Sequence, residues 1–271
     1  MVYVSGGFFS MGGEAQLLLQ ECRQFRAGCQ RDWFRSSEPA HLVLVSPFYI
    51  DMYEVTNADF LAFLTQITDP ETACNGYPCL NQVDSRIKVN DGLYTLSPGF
   101  ANYPVTGVNW YGADAYCHWR GAHLPTEAEW EMAASWVVET EEKWLYPWGL
   151  KFDSQALNYC DQRCPEEQAS RNADDGYGRE APVGSYANGR SPWGVYDMGG
   201  NVWEWIEDWY DADYYLGASA ADTGGPRSGD TKVVRGGSWF DTGNFAASIV
   251  RFPVPPTETG DTIGFRCARD E

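Results

Sequence analysis

Apolar residues recur along the chain in short patterns that predict a few helices and several short strands. Four segments have helical spacing: residues 14–29, a segment beginning at residue 56, residues 110–120 and residues 126–137. Two of these begin with a capping box, in which a threonine and an acid three residues later satisfy free backbone amides. The two boxes are Thr56 with Asp59 and Thr126 with Glu129. Gly121 is expected to end the third helix.

The predicted strands are short. Strand-like runs occupy four segments: residues 1–12, 41–51, 233–235 and 263–268. Residues 69–102 contain prolines and glycines and are expected to form loops and short strands. Little regular structure is expected between residues 146 and 232, or in the proline-containing segment 240–262. The pattern predicts an α+β fold with few helices, short strands and much irregular structure.

The composition is that of a folded protein. Of the 271 residues, 44% are hydrophobic and 15% are aromatic, which is enough for the core of a single domain over residues 1–271. The formal net charge of -19 argues against nucleic acid as a partner, because phosphate binding needs a basic surface.

No apolar run approaches the roughly 20 residues that span a bilayer, so no membrane insertion is expected. No secretion signal is visible at the N-terminus.

The eight cysteines fall into three close pairs and one distant pair. The expected disulfides are Cys22–Cys29, Cys74–Cys79, Cys160–Cys164 and Cys117–Cys267. Free thiols or a zinc site are the alternative, but the sequence holds no C-x-x-C pair and no histidine cluster. Disulfides form in oxidising compartments, so we expect an extracellular or cell-surface protein.

Four motifs carry a resemblance to a known family. They are PTEAEWE at residues 125–131, GNVWEW at 200–205, VVRGGSW at 233–239 and IGFRCA at 263–268. With these motifs the chain resembles the formylglycine-generating enzyme (sulfatase-modifying factor) family over nearly its whole length. The resemblance implies a variant C-type lectin fold. It also supports the Cys117–Cys267 bond, because the equivalent cysteines are bonded in that family.

The same resemblance implies two structural calcium sites, built from the carboxylate, amide and carbonyl oxygens that calcium requires. The first grouping comprises the side chains of Asn158 and Asp175 and the carbonyl oxygens of Tyr159 and Tyr177. The second comprises the side chains of Asp197 and Glu204 and the carbonyl oxygens of Gly200 and Val202. The alternative is that Asp197 and Glu204 cap turns or pair with arginines.

The oxidases of this family use two cysteines, three and eight residues beyond the motif serine, that bind copper(I) through soft thiolates. Counted from Ser238, those positions hold Asp241 and Ala246, neither of which supplies a thiolate. We therefore expect no copper and no oxidase activity. The iron-dependent branch of the family needs a facial set of histidines, whereas the three histidines of this chain are scattered along it.

The segment between the last two motifs resembles the mutable loop of diversity-generating retroelement variable proteins, a non-catalytic branch of the family. Adenine-directed mutation of Asn codons in that loop excludes Lys, Glu, Gln, Met and Trp. These types make up 48 of the 271 residues, so about four are expected in the 23 positions from 240 to 262, and one occurs, Glu258. The alternative is that a loop avoids several of these types in any case.

The variable region, at about residues 239–263, is the predicted ligand-binding surface. Eleven residues are expected to form one contiguous exposed face: Phe240, Asp241, Thr242, Asn244, Phe245, Val250, Phe252, Val254, Gly260, Asp261 and Thr262. Five are expected to lie beneath it: Trp239, Arg251, Ile263, Phe265 and Arg266. Grouped exposed aromatics mark protein-binding surfaces. Inward packing of the same side chains is the alternative.

The sequence thus predicts a non-catalytic protein that displays a diversified C-terminal surface to a macromolecular ligand. We expect this ligand to be a protein. A divergent formylglycine-generating oxidase, or a pseudo-enzyme that assists one on sulfatases, is the alternative.

Overall fold

Four helices and a series of short strands make up the regular part of the chain. The computed structural model describes residues 1–165, 170, 172–217, 221 and 224–271. The helices within these ranges are α1 (Ala15–Phe25), α2 (Asn57–Leu64), α3 (Trp110–Trp119) and α4 (Glu127–Ser135). The strands are β1 (Val2–Val4), β2 (Gly7–Met11), β3 (His41–Val45), β4 (Phe48–Ile50), β5 (Ile87–Asn90), β6 (Leu93–Leu96), β7 (Trp136–Val137), β8 (Glu142–Lys143), β9 (Trp203–Trp209), β10 (Lys232–Arg235), β11 (Arg251–Val254), β12 (Ile263–Gly264) and β13 (Ala268–Asp270).

The helices begin where the sequence predicts them. Thr56 caps α2 and Thr126 caps α4, and both capping boxes are closed, by Asp59 and Glu129 respectively. The first helix lies inside the predicted insertion at residues 14–29. The last helix ends earlier than predicted because Trp136 has extended backbone angles and begins β7.

The central sheet has four strands in the order β11-β10-β9-β12. Strand β10 lies between β11 and β9 and is antiparallel to both, while β12 runs parallel to β9. Two of the sequence motifs lie in this sheet, since β10 begins the VVRGGSW motif and β12 begins the IGFRCA motif. The variable region therefore leaves the sheet after β10, contributes β11 to its edge and returns to it again at β12.

Two strands of this sheet contradict the sequence prediction, which placed β9 and β11 in irregular segments. Trp203, Glu204 and Trp205 alternate between apolar and polar, but the run is only three residues long, and the first four residues of β9 are buried, Glu204 included. Strand β11 contains Pro253, which usually argues against a strand. Proline is tolerated here because β11 lies at the edge of the sheet.

A second sheet and an aromatic core fix the last motif. Strand β13 is antiparallel to β4 in a three-stranded sheet of order β1-β4-β13. Just before it, Phe265 is fully buried against α2 and α3. Its ring centroid lies 6.0 Å from that of Phe60 and 5.4 Å from that of Tyr116. Packing of this kind holds the end of the variable region to the helices.

Three buried arginines connect α4 and β9 to the C-terminal motifs. The pairs are Arg235 with Glu131, Arg251 with Glu127, and Arg266 with Glu204. The six side chains are at most 2% exposed. Arg251 binds its partner through two nitrogens at 2.8 and 2.7 Å, and Arg266 does so at 2.7 and 2.6 Å. Arg251 and Arg266 are therefore paired in the bidentate geometry that suits a guanidinium. Arg235 reaches Glu131 through one nitrogen and also donates to the carbonyl oxygens of Ser248 and Val250.

All eight cysteines lie in the described residues and form the four predicted disulfides, which confirms that prediction. The bonds are Cys22–Cys29, Cys74–Cys79, Cys160–Cys164 and Cys117–Cys267. Four disulfides indicate an oxidising, non-cytoplasmic compartment. In the described part of the chain, none of the helices has the length and apolar character needed to cross a membrane.

The long-range disulfide should stabilise the fold more than a short-range one. Cys117 and Cys267 are 150 residues apart, and closing a loop of this length is worth about 5 kcal/mol in the chain-entropy model. Replacing both by serine should lower the free energy of unfolding in guanidinium by about that amount. The matched control replaces Cys74 and Cys79, equally buried but five residues apart, and should cost about 2 kcal/mol. Equal losses in the two double variants would contradict the prediction.

Candidate functional site

Asp241 holds a tight turn at the start of the variable region. Its Oδ2 accepts hydrogen bonds from the Ser238 amide at 3.1 Å and the Ser238 hydroxyl at 2.5 Å. It also accepts a bond from the indole N–H of Trp203 at 2.8 Å. Burial raises the pKa of the Asp241 carboxyl, and these three donors oppose the shift. The carboxylate is thus a structural acceptor that ties the turn after β10 to the first residue of β9.

Three aromatic rings form a patch beside this turn. The ring centroid of Trp203 lies 6.1 Å from that of Phe245 and 6.0 Å from that of Phe252. Trp203 is buried, Phe245 is half-buried, and Phe252 is 50% exposed. We call these three residues the aromatic surface. Phe240, which is also half-buried, lies next to the turn.

Four of the eleven predicted surface residues are buried, so the prediction of a single exposed face is wrong for them. They are Thr242, Asn244, Val250 and Val254. Thr242 precedes the 3₁₀ turn Gly243–Ala246, and its hydroxyl donates a 2.7 Å hydrogen bond to Oδ1 of Asn244. Phe252 and Val254 are two residues apart in β11 and lie on the same face of the sheet, yet Val254 packs into the core whereas Phe252 meets solvent.

The other seven predicted surface residues keep at least partial exposure: Phe240, Asp241, Phe245, Phe252, Gly260, Asp261 and Thr262. The five residues expected beneath the surface are all buried, as predicted: Trp239, Arg251, Ile263, Phe265 and Arg266. One neighbour of this surface, Arg179, was not predicted from the sequence. Its guanidinium lies 4.9 Å from the ring centroid of Trp239 and pairs with Asp261. No motif marks this arginine, because its role depends on a contact 82 residues away along the chain.

The residues of the first oxygen grouping lie together. Asp175 accepts hydrogen bonds from the backbone amides of Tyr159 and Tyr177, each at 2.9 Å. Asn158 is 1% exposed, and its Nδ2 donates to the carbonyl oxygen of Arg179. Within the described residues, Oδ1 of Asn158 accepts no hydrogen bond. A buried amide oxygen without a donor is costly, and it fits a ligand for a hard cation.

The second grouping lies in a buried acidic cluster. Both oxygens of Glu204 accept hydrogen bonds from Arg266, as the alternative of arginine pairing predicts. Asp197 is also buried there. A further carboxylate, Glu54, is fully enclosed and accepts a 2.7 Å hydrogen bond from the side chain of Asn201. Glu54 was not predicted from the sequence because no motif or spacing marks it.

This cluster holds more negative than positive charge, with three carboxyls around one guanidinium. Burial raises the pKa of Glu54 well above its ordinary value, and the Asp197 and Glu204 carboxylates raise it further. Burial also raises the pKa of Asp197 to about 6. A divalent cation held by Asp197 and the carbonyl oxygens of Gly200 and Val202 would offset the excess charge. The residues of the first grouping therefore fit calcium, and in the second Asp197 and the two carbonyl oxygens fit it, whereas Glu204 is already paired with Arg266.

Gly200 brings the two groupings into contact. It has a φ of 84°, and a Cβ at this position would lie 2.3 Å from the carbonyl oxygen of Asn158, so the backbone needs glycine. The amide of Asn201 donates to the same carbonyl oxygen at 2.9 Å, and Nδ2 of Asn158 donates to Oδ1 of Asn201 at 3.0 Å. The loops that carry the two groupings are fixed to each other.

Calcium should raise the melting temperature of the protein. A ligand that binds only the folded state stabilises it by about 2.7 kcal/mol at a concentration 100 times its Kd. Asp175→Asn removes a ligand charge with little change in shape and should shrink the shift measured by calorimetry with calcium and with a chelator. Asp174→Asn is the matched control, because this neighbour is exposed and pairs with Arg163. Identical melting curves with calcium and with chelator would contradict the prediction.

The sequence matches a family profile described as the sulfatase-modifying factor enzyme 1-like domain, over residues 1–271. It is 33% identical to the serine/threonine-protein kinase pkn1 of Chlamydia caviae, in an alignment that covers 99% of this chain and 38% of that protein. It is 32% identical to the formylglycine-generating enzyme of Thermomonospora curvata, covering 100% of this chain and 93% of that enzyme. It is 30% identical to the inactive C-alpha-formylglycine-generating enzyme 2 of Mus musculus, covering 99% and 85%. The chain therefore spans little more than a third of the length of the kinase.

Two solved structures are similar in fold. PvdO from Pseudomonas aeruginosa superposes with a TM-score of 0.68 at 23% identity, covering 99% of this chain and 93% of that one. Treponema denticola variable protein 1 superposes with a TM-score of 0.65 at 20% identity, covering 100% and 95%. These likenesses confirm the predicted fold, an α+β variant of the C-type lectin fold of the formylglycine-generating-enzyme type. With a family match over all 271 residues, the chain belongs to the formylglycine-generating enzyme (sulfatase-modifying factor) family.

Proposed function

We propose that this chain is a non-catalytic binding protein that presents a diversified C-terminal surface to a macromolecular ligand. We infer that this ligand is a protein. The observation that carries the proposal is the chemistry at Asp241 and Ala246, the positions where the oxidases hold two copper-binding cysteines. Asp241 is engaged by Ser238 and Trp203, and Ala246 is buried. All eight cysteines of the chain are in disulfides, so none offers a thiolate to copper(I).

The aromatic surface supports a binding role. Phe252 is half exposed although its ring packs on Trp203, and Phe245 and Phe240 are only partly covered. Aromatic side chains contribute large contact areas at a low cost in conformational entropy, and they dominate the binding energy of many protein interfaces. The buried floor of Trp203 and the Asp241 turn holds these rings in place. A preorganised surface of this kind loses less entropy when a partner binds.

The oxygen groupings and the disulfides support a second part of the proposal. Calcium at both groupings would fix the segments around Asn158 and Asn201, which already bond to each other. Trp203, two residues after Asn201, donates to Asp241 and links these segments to the Asp241 turn. The role of the proposed calcium is structural. We place the protein outside the cell or at the cell surface, where calcium is plentiful and disulfides persist.

The protein should not convert cysteine to formylglycine. A cysteine-containing sulfatase peptide incubated with the protein and copper should keep its mass, because neither Asp241 nor Ala246 can bind copper(I) through sulfur. The formylglycine-generating enzyme of Thermomonospora curvata, which is 32% identical, serves as the positive control. Aldehyde formation detected by mass spectrometry would overturn the non-catalytic proposal and favour the divergent oxidase.

Diversification should be confined to the exposed positions of the variable region. Sequencing the gene and its neighbours from many isolates should find a reverse transcriptase gene and a near-copy of the last coding stretch. The codons for Phe240, Phe245 and Phe252 should vary, because changes at exposed sites cost little stability.

Val254 is the matched control on the same strand. It is 8% exposed, so truncation there leaves a cavity, and its codon should not vary. Equal variation at Phe252 and Val254, or no near-copy in any isolate, would contradict a diversified surface.

A further inference from the structure

We infer a second kind of metal site, for a transition-metal ion such as zinc, formed by His123, Glu129 and Asp270. One imidazole nitrogen and one oxygen from each carboxylate lie within 4.8 Å of one another. None of these residues belongs to the aromatic surface or to the calcium groupings. The inference therefore stands apart from the proposed function.

Three elements converge to build this site. His123 lies between α3 and α4, and its backbone pairs with Ala268 of β13 through two hydrogen bonds of 2.8 Å. Asp270 is two residues further along β13, so its side chain leaves the strand on the same side as that of Ala268. Glu129 lies in the first turn of α4. The disulfide at Cys267 anchors β13 immediately before these residues.

The imidazole of His123 is oriented as a metal ligand should be. Its Nδ1 lies 2.9 Å from the carbonyl oxygen of Leu124, which can only accept, so Nδ1 carries a proton. Metal-binding histidines commonly donate one ring N–H to a backbone carbonyl, which leaves the other nitrogen free to coordinate. In the described chain, Nε2 of His123 is buried and makes no hydrogen bond, and it lies 3.5 Å from Oδ1 of Asp270.

The separations suit a small ion. Two ligands at about 2.1 Å from a tetrahedral zinc are roughly 3.4 Å apart, close to the separation of the His123 and Asp270 atoms. Glu129 uses its Oε2 to close the capping box with Thr126, and its Oε1 takes no part in the hydrogen bonds of that box. The site can therefore use Glu129 without opening the first turn of α4.

The charge around the site favours a cation. A groove of about 650 Å³ adjoins these residues, and four carboxyl side chains line it: Glu129, Glu207, Asp270 and Glu271. His123 is the one basic side chain among the described residues of the groove. An imidazole ligand favours zinc, copper or nickel over calcium, whose ligands are oxygens. Three protein ligands would leave a fourth position of the ion facing the groove, open to water or a small anion.

The competing explanation is a protonated His123 that pairs with these carboxylates without a metal. Isothermal titration of tag-free protein with zinc chloride, in calcium sufficient to saturate the oxygen groupings, decides between the two. We expect one zinc ion per chain, and X-ray absorption of the complex should show one nitrogen from imidazole and carboxylate oxygens at about 2.0–2.2 Å.

Matched variants identify the site. His123→Ala should abolish zinc binding, and Asp270→Asn, at an exposed position that leaves the fold intact, should weaken it about ten-fold or more. His118→Ala is the control, because His118 also lies next to a carboxylate, Asp114, but belongs to no group of metal-ligating side chains among the residues that the structure describes. Absence of zinc binding up to about 100 µM, or equal affinity in the wild type and Asp270→Asn, would overturn the inference.

Discussion

The buried pairing of arginine with glutamate is the interaction on which the rest of the structure depends. Helix α4 supplies Glu127 and Glu131, and the sheet supplies Arg251 and Arg235 to meet them. Removing one member of a buried pair costs about 3–5 kcal/mol because the other charge is left uncompensated. A typical domain has a stability of only about 5–15 kcal/mol. The PTEAEWE and VVRGGSW motifs are thus joined by a buried ion pair between Glu131 and Arg235.

These pairs explain how the variable region can carry exposed aromatic residues without collapsing onto the core. Arg235 fixes its beginning, Arg251 its middle and Arg266 its end, each through a buried carboxylate. The chain between the anchors gains its stability from residues that do not face the solvent. Arg251 and Phe252 are neighbours on one strand, yet the first is buried against Glu127 and the second meets the solvent. The exposed aromatic residues can therefore be substituted without disturbing the buried arginine–glutamate pairs.

Local patterns predicted the parts of the structure that depend on neighbours in sequence. The capping boxes at Thr56 and Thr126 place the starts of α2 and α4 because their hydrogen bonds span three residues. Strand β9 was not predicted because its alternating run, Trp203 to Trp205, is only three residues long and the strand is buried on both faces over its first four residues. The burial of Thr242 and Asn244 also depends on the tertiary structure, since a polar sequence with no period looks like an exposed loop. Glu54 and Arg179 carry no local signal, because their partners are distant in sequence.

An unpaired sheet edge next to exposed aromatic rings would normally invite copies of a protein to stack into ribbons. Strand β11 is such an edge, and it carries Phe252. The next residue is Pro253, which has no amide hydrogen to offer to an approaching strand. The same proline that hides the strand from sequence-based prediction interrupts the ladder that a second chain would need. The exposed ring of Phe252 thus lies beside a sheet edge that offers a second chain one backbone donor fewer than an edge without proline.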